Sequence, residues 1–136
     1  MQCPFCQIMK HQADAHIIHE TENIIAFLDV DPINEGHVLI IPKLHEASLE
    51  YIPQYVLNEI IQFLQRMSIV LKNVYHADGY SIMQNGGEFC DFGHAHFHIF
   101  PRYKNDGFSW KYSDDSFEYS LEIASKLKIA LNDELC

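Results

Sequence analysis

Three of the nine histidines fall within HAHFHIF, residues 94–100, at a strict spacing of two: His94, His96 and His98. In a β-strand alternate side chains share a face, so the three imidazoles are expected on one surface, with Ala95, Phe97 and Ile99 packed on the other. Histidine is the side chain whose ordinary pKa lies nearest neutrality, so such a row can supply a nucleophile, a proton carrier and a metal ligand. Residues two apart in a strand are separated by about 6.5 Å, which puts His94 and His98 roughly 13 Å apart at the backbone. One ion cannot easily gather all three, so the row must divide its work, a metal taking one or two and the rest meeting a substrate. A second group opens the chain. Cys3 and Cys6, in CPFC, have the spacing at which two thiolates grip one tetrahedral ion, and they amount to half of a structural zinc site. The competing assignment for the pair is a reduced dithiol or a redox switch.

The elements that must carry these residues are legible from periodicity. HIIHE at 16–20 and NIIAFLDV at 23–30 read as two strands of a hairpin around Thr21 and Glu22. Asp31 to Gly36 carries turn chemistry, and HVLIIP at 37–42 is a third strand ended by Pro42. From Pro53 to His76, Leu57, Ile60, Ile61, Leu64, Met67, Leu71 and Val74 recur at helical intervals, which predicts one long amphipathic helix closed by Ala77-Asp78-Gly79. Tyr80 to Gln84 forms a strand, and Asn85-Gly86-Gly87 leads by a loop into the histidine strand. A last helix is expected to start near Asp115, with Glu118 as its capping-box partner and Leu121, Ala124, Leu127 and Leu131 turned inward. Five antiparallel strands around one main helix make an α+β domain.

With 136 residues, 48% of them hydrophobic, the chain fits a single domain, residues 1–136, with a core at 3–102 and a C-terminal extension at 103–136. A formal charge of −10 argues against a nucleic-acid backbone binder, which needs clustered Lys and Arg. No apolar run reaches the roughly 20 residues of a membrane span, and the opening MQCPFCQIMK lacks a signal peptide's apolar segment. Four cysteines, two paired in CPFC and two isolated at Cys90 and Cys136, suit a reducing compartment, so a cytoplasmic location is expected.

H-x-H-x-H followed by two apolar residues resembles the signature of the histidine triad family of nucleotide hydrolases and transferases. CPFCQIM resembles that family's N-terminal Cys-x-x-Cys segment, IIAFLDVDPINEGHVLIIPKLH at 24–45 its central block, and SIMQNGG the segment before the triad. The resemblance implies that His96 is a nucleophile attacking phosphorus to give a nucleotidyl-imidazole that water hydrolyses, with release of a nucleoside monophosphate. It implies that His98 holds the phosphate oxygens, its proton offsetting developing charge, that Asp29 accepts bonds from both ribose hydroxyls, and that Asn85 reaches the phosphate region. Phe27, Leu28 and Val30 flank Asp29 as walls for a base, or as core. His37 is assigned to structure at a strand start. Resemblance to zinc-bearing members adds His45 and His94 to Cys3 and Cys6, a closed structural site that leaves catalysis to imidazole. A purine nucleotide substrate and a two-fold homodimer complete what the family implies.

The chain departs from the family at GGEFCDFG, which lacks the Gly-Gln-Ser or Gly-Gln-Thr segment that binds phosphate; Cys90 and Asp91 stand there instead. A carboxylate facing a phosphate is unfavourable unless it is aimed away, protonated or bridged by a cation. Lys43, Arg102 and Lys104 are candidates for local positive potential. Trp110 is placed either at the leaving group or in a dimer or core contact. The leading function is a hydrolase acting on nucleoside phosphoramidates, nucleotidyl esters or dinucleoside polyphosphates. The alternatives are a non-catalytic nucleotide-binding or scaffold module of the same fold, and a metalloenzyme or carrier with metal on His96 and His98.

Overall fold

The structure is a computed structural model describing residues 3–134. A short helix α1 (Pro4–Met9) precedes strands β1 (Ile17–Glu20), β2 (Ile24–Leu28) and β3 (Val38–Pro42), the long helix α2 (Gln54–Tyr75), β4 (Gly79–Gln84), β5 (Phe97–Arg102) and a final helix α3 (Leu121–Glu134). The strands form one antiparallel sheet in the order β1-β2-β3-β5-β4. This is the α+β architecture expected from the sequence, with five strands and one main helix.

Both central strands are buried along nearly their whole length because the two faces of the sheet are covered by different elements. Ile24, Ala26, Val38, Ile40, Phe97 and Ile99 point to one face and pack under Val56, Ile60, Phe63, Leu64 and Leu71 of α2. The alternate residues Ile25, Phe27, Leu39 and Ile41 point to the other face, where they meet Phe5 of α1. Each such aliphatic side chain removed from water contributes about 1.5–3 kcal/mol, so β2 and β3 form a rigid floor for whatever sits beside α1. His98 lies opposite Leu39 in the β3–β5 register and shares that second face. The turn into β3 depends on Gly36, at φ +89° and packed on the Tyr75 ring, where a Cβ would collide with the aromatic carbons.

The structure corrects the sequence expectations in several places. Only His98 of the three belongs to β5; His94 sits in a bend before it, and the Ala95 N–H is taken by the Glu46 carbonyl (2.7 Å) outside the strand ladder. Ala95, Phe97 and Ile99 do occupy the helix-side core. On α2, Val56 and Phe63 are buried whereas Ile61 and Val74 face outward. The helix ends where His76 adopts the left-handed conformation (φ 49°), one turn residue earlier than Ala77-Asp78-Gly79. The last helix starts at Leu121, not near Asp115: Ser120 Oγ accepts from the Ile123 N–H (3.3 Å), while Asp115 is held in a local turn with Ser113. Its leucines are exposed, because α3 packs on neither covered face of the sheet. No helix among the described residues is long and apolar enough to cross a membrane.

Candidate active site and metal centre

Backbone groups fix the tautomer of each triad histidine. A carbonyl oxygen only accepts, so the 2.8 Å contact from His96 Nδ1 to the His94 carbonyl places the proton on Nδ1 and leaves Nε2 of His96 with its lone pair. His96 is 2% exposed and is held by ring contacts to Phe5 (centroids 5.1 Å apart) and His98 (5.0 Å). Its Nε2 lone pair is thus held in a fixed direction.

His98 is oriented by a relay that starts in the turn before β3. The Ile33 N–H donates to His37 Nδ1 (3.0 Å), so His37 carries its proton on Nε2 and donates it to His98 Nδ1 (2.9 Å). His98 then carries its own proton on Nε2. Asp29 closes the group, with Oδ2 at 3.4 Å from His37 Nε2 and 3.9 Å from His98 Nδ1, and with Oδ1 accepting from the Asp31 N–H (2.9 Å). Burial pushes His98 down to about 4, assisted by the neighbouring His96 and His37 and opposed by Asp29 and Asp91. His37 is also lowered, by burial against the pull of Asp29 and Asp31. In this tautomer His98 offers an N–H donor from Nε2. Asp29, His37 and His98 are close enough to hold an ion, but only by displacing the proton shared between the two rings. His37, read from sequence as structural, belongs to this site. The signal was its position just before β3, which the β3–β5 register places opposite Phe100 and so beside the end of the histidine run.

These groups open into a cavity of about 1140 Å³ whose walls include Phe5, Phe27, Leu28, Leu39 and Phe92. Of the residues expected to meet a substrate, Phe27, Leu28, Asp29, Val30, His96 and His98 all line it, Phe27 from the floor and the fully exposed Val30 from the rim. Asn85 does not line it; it lies beyond the end of β4, its carbonyl taken by Gln84 Nε2 (2.9 Å). Asp91 and Phe92, from the loop that departs from the family pattern, do line it. Lys43, Arg102 and Lys104 do not. Lys43 pairs with Glu20 (2.7 Å), and Arg102 pairs with Asp106 (2.6 Å) and donates to Ser81 and the Phe108 carbonyl. Trp110 is exposed outside the cavity.

Two residues upstream the chemistry changes. Cys3, Cys6, His45 and His94 each offer one ligand atom, all within 4.8 Å of one another. His94 donates from Nε2 to the Pro42 carbonyl (3.0 Å), which turns its Nδ1 lone pair to the thiols, at 3.6 Å from Cys3 Sγ and 3.7 Å from Cys6 Sγ; His45 Nδ1 is 3.1 Å from Cys6 Sγ. Tetrahedral zinc, with bonds of about 2.3 Å to sulfur and about 2.0 Å to nitrogen, sets sulfur and nitrogen about 3.5 Å apart. The donor set therefore fits a metal ion, and the hydrogen bond to Pro42 is the kind of outer contact that holds a ligating imidazole. Burial lowers the His94 pKa, which keeps the imidazole available as a neutral ligand. Among the described residues His96 and His98 belong to no metal-ligating group with the thiols.

Comparison with known proteins gives one consistent answer. The HIT domain profile matches residues 10–105. The chain is 35% identical over 136 residues to an adenosine 5′-monophosphoramidase of Candida albicans, covering 93% of this chain and 89% of that protein. It is 38% identical over 107 residues to an uncharacterised HIT-like protein of Methanocaldococcus jannaschii, covering 77% and 82%. Among solved structures it is similar to a zinc-bound histidine triad family protein from Mycobacterium smegmatis (TM-score 0.74, 34% identity, 85% of each chain). A HIT family protein from Bacillus anthracis superposes with a TM-score of 0.85 at 27% identity, over 97% of this chain and 96% of the other. The profile match over most of the chain, together with these relatives, shows that the chain belongs to the HIT domain family.

Proposed function

We propose that this chain is a nucleotide hydrolase or transferase that cleaves nucleoside phosphoramidates or dinucleoside polyphosphates through a nucleotidylated His96. The observation that carries the reading is the Nε2 lone pair of His96, fixed by the His94 carbonyl and opening into an apolar cavity beside an acceptor-rich Asp29. In the first step the His96 Nε2–P bond forms while the bond from phosphorus to the leaving group breaks, and the leaving group departs with a proton drawn from solvent. In the second step a water oxygen bonds to phosphorus, the His96 Nε2–P bond breaks, and water's protons return to solvent. The sum is substrate plus water giving a nucleoside monophosphate and the free leaving group. His98, donating from Nε2, stabilises the oxygens that gain charge at phosphorus. His37 and Asp29 hold His98 in that tautomer, and the free lone pairs of Asp29 suit the two hydroxyls of a ribose. Phe27, Leu28 and Val30 then flank a base, for which a purine is favoured, and Asn85 comes toward the phosphate only by movement of the loop after β4. The names of the fungal relatives support the reaction class.

Zinc on Cys3, Cys6, His45 and His94 would serve as a structural crosslink between the N-terminus and the approach to β5. The zinc-bound relative supports that identity, and catalysis is left to imidazole. The exposed apolar residues of α3 and the outward face of α2 suit a two-fold homodimer, and the reduced thiols suit a cytoplasmic location. The test is AMP release from adenosine 5′-phosphoramidate and diadenosine tetraphosphate by wild type and by His96→Ala. Release by the wild type that the variant lacks is the expected result. Nucleotide binding without release in the wild type would instead mark a non-catalytic module.

A further inference from the structure

The cavity that receives the phosphate in this reading has an unusual charge balance. Its walls carry four carboxylates, Asp14, Asp29, Asp31 and Asp91, and no lysine or arginine among the described residues. The three cations nearest in the sequence pattern are used elsewhere or lie outside it, as the ion pairs of Lys43 and Arg102 show. Asp29 faces His37, His98 and the Asp31 N–H, and in this reading its remaining lone pairs take the ribose. The side chains of Asp14, Asp31 and Asp91 take no part in the hydrogen bonds or ion pairs found among the described residues, and Asp91 is set apart by position: it is exposed, lines the cavity and adjoins Phe92, whose ring lies 6.1 Å from that of His96. Its charge is also felt at His98. A free carboxylate is thus placed at the reacting end of the cavity, on the loop where the family pattern has a neutral phosphate-binding segment.

Such a carboxylate repels a chain of phosphates and attracts a cation. Resting on the reading of His96 as nucleophile, we propose that Asp91 selects the leaving group, and that the preferred substrates are nucleoside phosphoramidates whose leaving amine bears a second, positively charged ammonium. A nucleoside phosphoramidate places a single negative charge at phosphorus in the cavity. A distal ammonium on the leaving amine then meets Asp91, whereas the further phosphates of a dinucleoside polyphosphate would meet the same carboxylate with like charge.

The test uses adenosine 5′-phosphoramidates of three amines of similar length: diaminobutane with a distal ammonium, pentylamine with none, and aminobutyrate with a distal carboxylate. Diadenosine tetraphosphate is the fourth substrate. For the full-length protein, kcat/KM is expected to fall by about fivefold at each step from cationic to neutral to anionic leaving group, the size of an exposed charge pair. Asp91→Asn should bring the cationic-to-neutral ratio to about one, and Glu50→Gln, an equal charge change on a distant 3-10 turn, should leave the ratio as it is. Added salt should compress the wild-type ratio. A wild-type ratio near one, or a ratio that Asp91→Asn does not change, overturns the proposal while leaving the nucleophile in place. Turnover that requires added magnesium and loses that requirement in Asp91→Asn overturns it too, by assigning Asp91 to a metal ion. Absence of turnover on all four substrates overturns both this inference and the reading beneath it.

Discussion

Two corners of one short segment hold opposite kinds of histidine. At His94 the Nε2 proton goes to Pro42 and Nδ1 faces two thiols; at His96 the Nδ1 proton goes to the His94 carbonyl and Nε2 faces an open cavity. Two residues of chain and one choice of backbone acceptor separate an imidazole turned to thiols from one turned to the cavity. In the proposed reading the first is a metal ligand and the second a nucleophile, each oriented by the carbonyl that takes its proton. Phe5 ties the corners together. It sits between Cys3 and Cys6 in sequence, and its ring lies 5.8 Å from His94 and 5.1 Å from His96, so the metal loop also forms a wall of the cavity.

The comparison breaks hardest at its catalytic corner. His96→Ala should lower AMP release by 10³-fold or more, because the covalent step has no substitute nucleophile, while metal content stays at the wild-type level. Cys3→Ser should do the reverse in steady-state metal analysis: metal is lost, yet His96 remains and turnover persists at a reduced level. Phe5→Ala should affect both corners. Deleting a buried aromatic costs about 3–5 kcal/mol, read by denaturant unfolding, and it should weaken metal retention and nucleotide affinity together. If only one of the two falls, the corners are independent.

Acid should separate His98 from its environment. Its folded pKa of about 4 lies below the ordinary histidine value of 6.5, so the folded protein binds fewer protons than the unfolded chain. The resulting stability is fully present above about pH 6.5 and is lost as the pH falls toward 4, by about 3 kcal/mol in all. Unfolding curves across that range should show the loss in wild type and a shallower slope in His98→Asn. The smallest effect is expected at the relay. His37→Gln, which cannot reproduce the Ile33-to-His98 path, should lower kcat by about 10-fold with little change in KM, since it acts only by orienting His98.

The sheet and α2 were legible because their signals are local. Alternation in IIAFL and VLII and the spacing of Ile60, Leu64 and Leu71 report burial wherever the partners lie. α3 shows the limit of that signal: Leu121, Ala124, Leu127 and Leu131 mark an apolar helical face, but spacing does not say that the core is already closed. The division of work along the triad was read from a strand geometry that only His98 adopts, and the gathering of His45 and His94 with the thiols came from family resemblance, as neither lies near Cys3 in sequence. His37 stayed hidden because its role depends on the β3–β5 register and on the Ile33 N–H, which only the folded chain brings together. The basic residues misled for a related reason, since Glu20 and Asp106 claim Lys43 and Arg102 before any substrate can.

The most direct test of the account is intact-protein and peptide mass spectrometry after rapid acid-free quenching of a reaction with adenosine 5′-phosphoramidate. The account predicts a transient mass increase of one AMP residue, located on His96 and missing from His96→Ala. Product formation with no adduct at any time, or an adduct carried by His98 instead, would contradict it.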